Sequence, residues 1–446
     1  MSRSRKLAAG AVLVAAALLT AACGGGGDSG GASGGQSAQA GSGTGEIKVW
    51  GHQGEAGEVT ALQQAVDSFN SSQTDVKVTL QLIPSNDYTK TVQATSADQL
   101  PDVLEYDGPL MSSFVYDGKL APVDGLVSAA TVSNQTASVK SQNTYPGDSK
   151  LYGVSMFDSG LGVYGNKKLL DAAGVKYPTG LDDAWTADEF QDALVKLAAV
   201  DPDGKVLDVK ENYGGEWPTY GYLPIVNSTG NVVVKDGKAE GNLNSPAAVK
   251  AVEQFAGWRQ YVDPNTDDKA FTDGRVALSW VGHWLYNPYA EALGSDLVVM
   301  PLPDFGAGTK TGQGSWAWGV GASSKNGAAA GKFLDYLMND TNVAAMTEAN
   351  AAPPGTTSVT AASALYKPGG PLELFSEQLA KTCGTNPPTE SCVATPRPIT
   401  PAYPVISQQF SQAFLNAYKG ADAQAELDKA AKAIDQDYED NNGYTN

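Results

Sequence analysis

Residues 46–82 read EIKVWGHQGEAGEVTALQQAVDSFNSSQTDVKVTLQL. Ile47 to Trp50 has the composition of a first strand, and a polar, glycine-containing loop follows from Gly51 to Gly57. Val59, Leu62, Ala65, Val66 and Phe69 then recur at helical spacing. Val76, Val78, Leu80 and Leu82 alternate with Lys77, Thr79 and Gln81, the period of a strand with one solvated face. Strand, helix, strand in that order is a βαβ unit, the building block of an α/β protein.

The same grammar continues outward. Asp102 to Tyr106 is a further expected strand. Thr186 and Glu189 form a capping box ahead of a buried stripe of Phe190, Leu194, Leu197 and Ala198. Ser245 and Pro246 supply an N-cap and a first-turn proline for a helix carrying Val249, Val252, Phe255 and Ala256. Phe333, Leu334 and Leu337 mark another helix, and Leu427, Ala430, Ala431 and Ile434 the last. Mixed strands and helices over about 400 residues predict an α/β chain of two domains.

Of the 446 residues, 42% are hydrophobic and 18% charged, enough apolar material for two sizeable cores. The formal net charge is −19. So acidic a surface argues against nucleic acid and against anionic lipid headgroups as partners.

The first 22 residues carry Arg3, Arg5 and Lys6 and no acid. An uncharged run from Leu7 to Leu19 follows, too short for a ~30 Å hydrocarbon core. Ala21 and Ala22 precede Cys23, which resembles a bacterial lipobox, with Thr20 where leucine is usual. Residues 1–22 are therefore expected to be a lipoprotein signal peptide and Cys23 the lipidated N-terminus. Residues 23–45 are nearly all Gly, Ser, Ala and Gln, a flexible tether with a mean span of roughly 25 Å. Cys383 and Cys392 remain as a pair around Gly384, Pro387 and Pro388, and a small loop disulfide is expected in an exported protein. A lone thiol pair leaves a zinc shell incomplete, so no metal and no cofactor is expected.

Seven short blocks then occur in a familiar order. They are Pro101-Asp102-Val103 with Asp117-Gly118-Lys119-Leu120-Ala121-Pro122; Tyr152-Gly153-Val154 with Tyr164-Gly165-Asn166-Lys167 and Ala172-Ala173-Gly174; and Trp185 to Phe190 after Pro178. They continue with Phe271 to Leu278 and Gly282-His283-Trp284; Met300 to Pro303; Gly314 to Gly319; and Pro396-Arg397-Pro398-Ile399-Thr400-Pro401-Ala402-Tyr403. In that order they resemble the extracellular solute-binding proteins of the maltose/multiple-sugar type (family 1), over about residues 46–438. Ser155 and Gly165 depart from the pattern. The resemblance implies a two-lobed periplasmic-binding-protein-like fold with a hinge and an interlobe ligand cleft. It places lobe 1 at 46–157 plus about 320–368, and lobe 2 at 158–319 plus about 369–446. It further implies delivery of an oligosaccharide to the permease subunits of an ABC importer.

A neutral sugar offers C–H faces and a rim of hydroxyls, so its site needs aromatic planes and charged hydrogen-bonding groups. By the resemblance Trp284 sits where a tryptophan faces sugar, or else is a core residue of a strand-to-helix corner. Trp316 lies in the block of Gly314 at a lobe crossing as a second platform, and Trp217 in Glu216-Trp217-Pro218 is a third. Trp318 would share the face of Trp316 but ranks below it. Asp107 ends the expected strand at the block of Pro101, Tyr106 alternates with it as a stacking candidate, and Asp158 sits at the crossing between lobes. Of the loop after the first strand, Gln53 and Glu55 rank above His52, because open α/β sheets bind ligands beyond strand carboxyl ends. Arg397 is either a fork-shaped donor to a sugar hydroxyl or a salt bridge holding the C-terminal segment.

No nucleophile elbow, zincin motif or phosphate loop occurs in the chain. With the resemblance, this points to a monomeric, non-enzymatic binder anchored on the outer face of the membrane through Cys23. The block of Arg397 leans toward a maltose- or trehalose-like α-glucoside. A secreted glycoside hydrolase is the rival reading, and the same fold binding a peptide, a polyamine or a phosphodiester is another.

Overall fold

A computed structural model describes residues 37–264, 267–384 and 387–445. The expected signal peptide, Cys23 and most of the expected tether lie outside the described residues. In chain order the strands are β1 (Gly45–Gln53), β2 (Val76–Pro84), β3 (Val103–Asp107), β4 (Leu120–Ala121), β5 (Leu161–Asn166), β6 (Leu207–Asp208), β7 (Leu278–Gly282), β8 (Leu297–Met300), β9 (Thr311–Gln313), β10 (Trp316–Gly321) and β11 (Ala394–Pro396).

The opening βαβ unit forms as its periodicity requires. β1 and β2 pair in parallel, from Gly45 opposite Val76 to Gln53 opposite Pro84. The helix between them, Ala56–Ser72, buries Leu62, Ala65, Val66 and Phe69. The first sheet runs β2-β1-β3-β10-β4, with β10 antiparallel to both its neighbours. One of its core clusters contains Ile47, Val49, Phe69, Phe333 and Leu337, and a second contains Leu104, Tyr106, Met111 and Phe114. The second sheet runs β6-β7-β5-β8 and belongs to the largest core, with Phe190, Leu194, Phe255, Trp280, Phe414 and Ile434. These two sheets define two α/β lobes.

The chain crosses between lobes in segments that lie side by side. Asp158 N–H donates to Pro353 O at 2.7 Å, and Gly355 N–H to Met156 O at 2.9 Å. Ser159 bridges Gly314, and Gly108 N–H donates to Ser315 O at 2.9 Å. Short extended segments bonded to one another are suited to hinge bending, because few dihedrals absorb the motion.

Three expectations need adjustment. β10 begins at Trp316 and lies wholly in the first sheet, so that lobe starts a few residues before the boundary near 320. The third strand runs over Val103–Asp107, one residue later than expected, and Asp107 is within it. The end of the tether is docked: Gly327 N–H donates to Gln39 O, Ala328 N–H to Ala40 O, and Lys332 Nζ to Gly43 O. The helix Gly327–Leu337 has no side-chain cap, and this polar segment satisfies two of its otherwise orphaned N-terminal donors, those of Gly327 and Ala328. The expected disulfide is present between Cys383 and Cys392.

Candidate functional site

β3 is buried throughout although it carries Glu105 and Asp107. A buried carboxylate needs a partner, and each has one. Glu105 Oε2 lies 2.7 Å from His52 Nδ1 and accepts the His52 N–H at 3.0 Å. Burial disfavours the imidazolium, but Glu105, helped by Glu58 and Asp107, outweighs it and raises the pKa of His52. The imidazole stacks on Trp316, with centroids 3.9 Å apart and planes 12° apart. Tyr88 meets the same indole edge-on at 5.7 Å. Trp316 is thus fixed at the start of β10, partly exposed and directly opposite Asp107.

From the other lobe comes the helix Trp217–Asn227, buried on every side. Trp217 and Trp284 meet edge-on at 6.0 Å, Tyr220 lies 6.3 Å from Trp284, and Trp284 Nε1 reaches Tyr213 Oη at 3.4 Å. Trp284 is partly exposed, whereas Trp217 is buried.

Arg397, just past β11, joins the two groups. Its fork donates to Asp107 at 2.6 and 2.5 Å, and Nη1 lies 3.6 Å from Glu216 Oε2. The guanidinium carbon sits 4.9 Å from the centre of the Tyr220 ring, within cation–π range. Glu216 also accepts from Tyr403 at 2.5 Å and Ser407 at 2.9 Å. Burial opposes the charge of Arg397, yet Asp107, Tyr403 and Glu216 outweigh it and hold its pKa above the ordinary value.

Five of the residues singled out from sequence therefore meet: Asp107, Trp217, Trp284, Trp316 and Arg397. Gln53 and Glu55 are exposed, at the end of β1 and at the N-cap of the next helix. Although Glu55 is exposed as a residue, partial desolvation of its carboxyl, then Glu58 and Asp268, raises its pKa, while Lys210 opposes the rise. Tyr106 does not join them. It points to the opposite face of β3 from Asp107, as strand alternation requires, and its buried hydroxyl donates to Asn143 at 3.0 Å. Trp318, two residues into β10, is core. His52, which ranks below Gln53 and Glu55 in the sequence, belongs to the cluster, as do Glu216 and Tyr220, which the sequence does not single out. Glu216 and Tyr220 flank the quoted Trp217, and helical spacing from Trp217 to Tyr220 was the available signal.

Asp158 is turned inward. Its carboxylate accepts from Ser138, from Gln142 at 3.3 Å and from Ser159 N–H at 2.8 Å. Burial nonetheless raises its pKa from 3.8 to about 6. The folded protein therefore holds this proton more tightly than the unfolded chain. Stability from Asp158 is greatest below pH 4, falls as pH rises to 6, and is then flat, a loss of about 3 kcal/mol. Asp158→Asn is expected to remove that decline, so its advantage in urea midpoint over wild type should grow from pH 4 to pH 7. Parallel pH profiles of the two proteins would refute this.

Among the described residues, no group of three or more His, Cys, Asp or Glu is placed to hold a metal ion, and no helix is long and apolar enough to cross a membrane.

Two lobes joined by paired crossing segments, with aromatic and charged groups converging from both, make the architecture of a two-lobed binding protein. The model of the bacterial extracellular solute-binding proteins matches residues 64–369, and the chain belongs to that family. Among solved structures it is similar to the GacH receptor of Streptomyces glaucescens, determined unliganded and with acarbose, at 21% identity and a TM-score of 0.72, over 89% of this chain and 98% of that one. It is similar to an ABC transporter solute-binding protein of Thermotoga lettingae bound with α-D-tagatose, at 22% identity and a TM-score of 0.73, covering 88% and 99%. It also resembles the maltose/maltodextrin-binding domain MalE of Bdellovibrio bacteriovorus bound to maltotriose, at 18% identity and a TM-score of 0.69, covering 88% and 100%.

Proposed function

We propose that this chain captures an oligosaccharide outside the cell by closing its lobes around it, and hands it unaltered to an ABC-type importer. One observation carries the reading: Trp316 with Asp107 on one lobe and Trp284 with Tyr220 on the other are joined through Arg397. Indole planes suit the C–H faces of a pyranose, and a carboxylate with a guanidinium suits its hydroxyls. Acarbose and maltotriose in similar proteins, together with the block around Arg397, favour an α-glucoside. Asp107, Glu216, Trp217, Trp284, Trp316 and Arg397 line the proposed site, with Gln53 and Glu55 at its mouth. A ligand favours closure by its greater affinity for the closed form. Cys23 is the proposed lipid anchor.

A thermal-shift screen tests this, with maltose, maltotriose, trehalose, cellobiose, spermidine and a tripeptide as probes. At a concentration of 100 times its dissociation constant, a ligand stabilises the fold by about 2.7 kcal/mol. An α-glucoside is expected to raise the melting temperature, to compact the protein in solution scattering, and to be recovered intact by mass spectrometry. A response to spermidine or peptide alone would overturn the sugar reading, and a cleaved sugar would point to a hydrolase. In the same strain, Cys23→Ser is expected to leave the membrane fraction, and its retention there would refute the anchor.

A further inference from the structure

His283 lies between the expected sugar platform and the hinge, and the site described above gives it no role. It is buried, in the turn His283–Leu285 that follows β7. Its Nδ1 is 2.9 Å from the carbonyl oxygen of Asn350, the last residue of the helix Asp340–Asn350. That helix packs on Ala56–Ser72 in the first lobe, so this contact spans the lobes. A carbonyl can only accept, so Nδ1 carries the proton and Nε2 is an acceptor. Nε2 is 3.1 Å from Ser159 Oγ, in the crossing segment, and Ser159 Oγ in turn accepts from Tyr220 Oη at 2.8 Å. Burial pushes the pKa of His283 down to about 4, consistent with the neutral tautomer this chain of bonds requires.

Both ends of the chain reach the candidate site. Asn350 Nδ2 donates to Glu58 Oε1 at 2.8 Å, and Glu58 Oε2 accepts the N–H of Glu55 at the same distance. Tyr220 lies beneath Arg397 and beside Trp284. A second tie runs parallel, since Asn287 Nδ2 donates to the carbonyls of Glu348 and Ala349 at 3.0 and 3.2 Å. The bonds of His283 to Asn350 and Ser159 and of Tyr220 to Ser159 are directional and buried, whereas the links at Glu58 and Asn287 are partly buried or exposed, so the coupling is tightest around the imidazole.

We propose that His283 is a positioning residue: a neutral imidazole that couples the Glu55 loop of one lobe, through the Ser159 crossing, to Tyr220 and Trp284 of the other. Lobe closure and the setting of the aromatic platform are then one event. The effect on sugar rests on the function proposed above, whereas the coupling itself can be read without ligand.

The experiment compares the full chain with His283→Phe, which keeps a ring but neither hydrogen bond, and His283→Gln, which retains a donor and an acceptor. In ligand-free hydrogen–deuterium exchange, His283→Phe is expected to accelerate exchange about tenfold in residues 54–59, 159–166 and 217–227, with His283→Gln restoring most of the protection. With maltotriose as probe, His283→Phe is expected to bind at least tenfold more weakly and to lose the compaction seen by scattering. Exchange altered only around residues 281–286 would overturn the coupling, as would equal maltotriose affinity and compaction in wild type and His283→Phe. If wild type ignores every sugar probe, the functional reading fails while the exchange result still decides the coupling. Should His283→Phe not fold, Ser159→Ala breaks the same chain from the hinge side and is judged by the same three segments.

Discussion

Arg397→Leu is expected to destabilise the fold by about 3–5 kcal/mol, the cost of removing one partner from a buried ion pair. The loss is not that of one contact. Asp107 is 5% exposed and cannot recover water in exchange for the guanidinium, and Glu216 loses its nearest cation. The Tyr220 ring also loses the charge above it. Urea denaturation reads the effect as a lower midpoint at unchanged slope. Adding Asp107→Asn is expected to recover part of the loss, because an amide buried without a partner costs less than a carboxylate. This pairing also separates the two roles weighed for Arg397. A midpoint within about 1 kcal/mol of wild type would mean the pair is dispensable to the fold, leaving Arg397 free for ligand alone.

The residues legible in the sequence are those whose partners are close in the chain. The βαβ unit of residues 46–82 was readable because hydrophobic periods of 3.6 and 2 are local properties. So was the capping box of Thr186 and Glu189, which the structure reproduces. Tryptophans in short glycine-rich blocks could be chosen, but not ranked by exposure, because Trp316 and Trp318 share a face and differ only in depth along β10. Tyr106 illustrates the opposite limit. Alternation with Asp107 was visible, and it already implied that only one of the two could face the site. What alternation leaves open is which face is buried against what, and that is set by Asn143, Met111 and Phe114 from elsewhere in the chain. His52 ranks below Gln53 and Glu55 in the sequence for a related reason. Its partner Glu105 lies 53 residues away, brought alongside only by the pairing of β1 with β3.

Trp316→Ala and Trp284→Ala are each expected to weaken α-glucoside binding by about thirtyfold or more, since buried aromatic anchors at recognition sites cost 2 kcal/mol or more when truncated. The two should differ in what else they disturb. One face of Trp316 is already covered by His52, so a sugar can use only the other. Removing the indole also uncovers the pair of His52 and Glu105. Water then relieves the burial that opposes the imidazolium and screens the carboxylates that favour it. Because the carboxylates now prevail, the pKa of His52 should return downward toward its usual value. An NMR titration of the imidazole detects that change independently of any ligand. Trp284 instead leans on Trp217 and Tyr220, so its loss should leave His52 unchanged and loosen the second-lobe cluster alone. Trp318→Phe is the internal control: it opens a gap in the first-lobe core and should lower the melting temperature with little effect on affinity. Isothermal titration with maltotriose would settle the order. If both alanine variants bind within threefold of wild type, no pyranose is stacked on either lobe. The charged bridge of Asp107 and Arg397 would then have to recognise a ligand without a sugar's apolar faces.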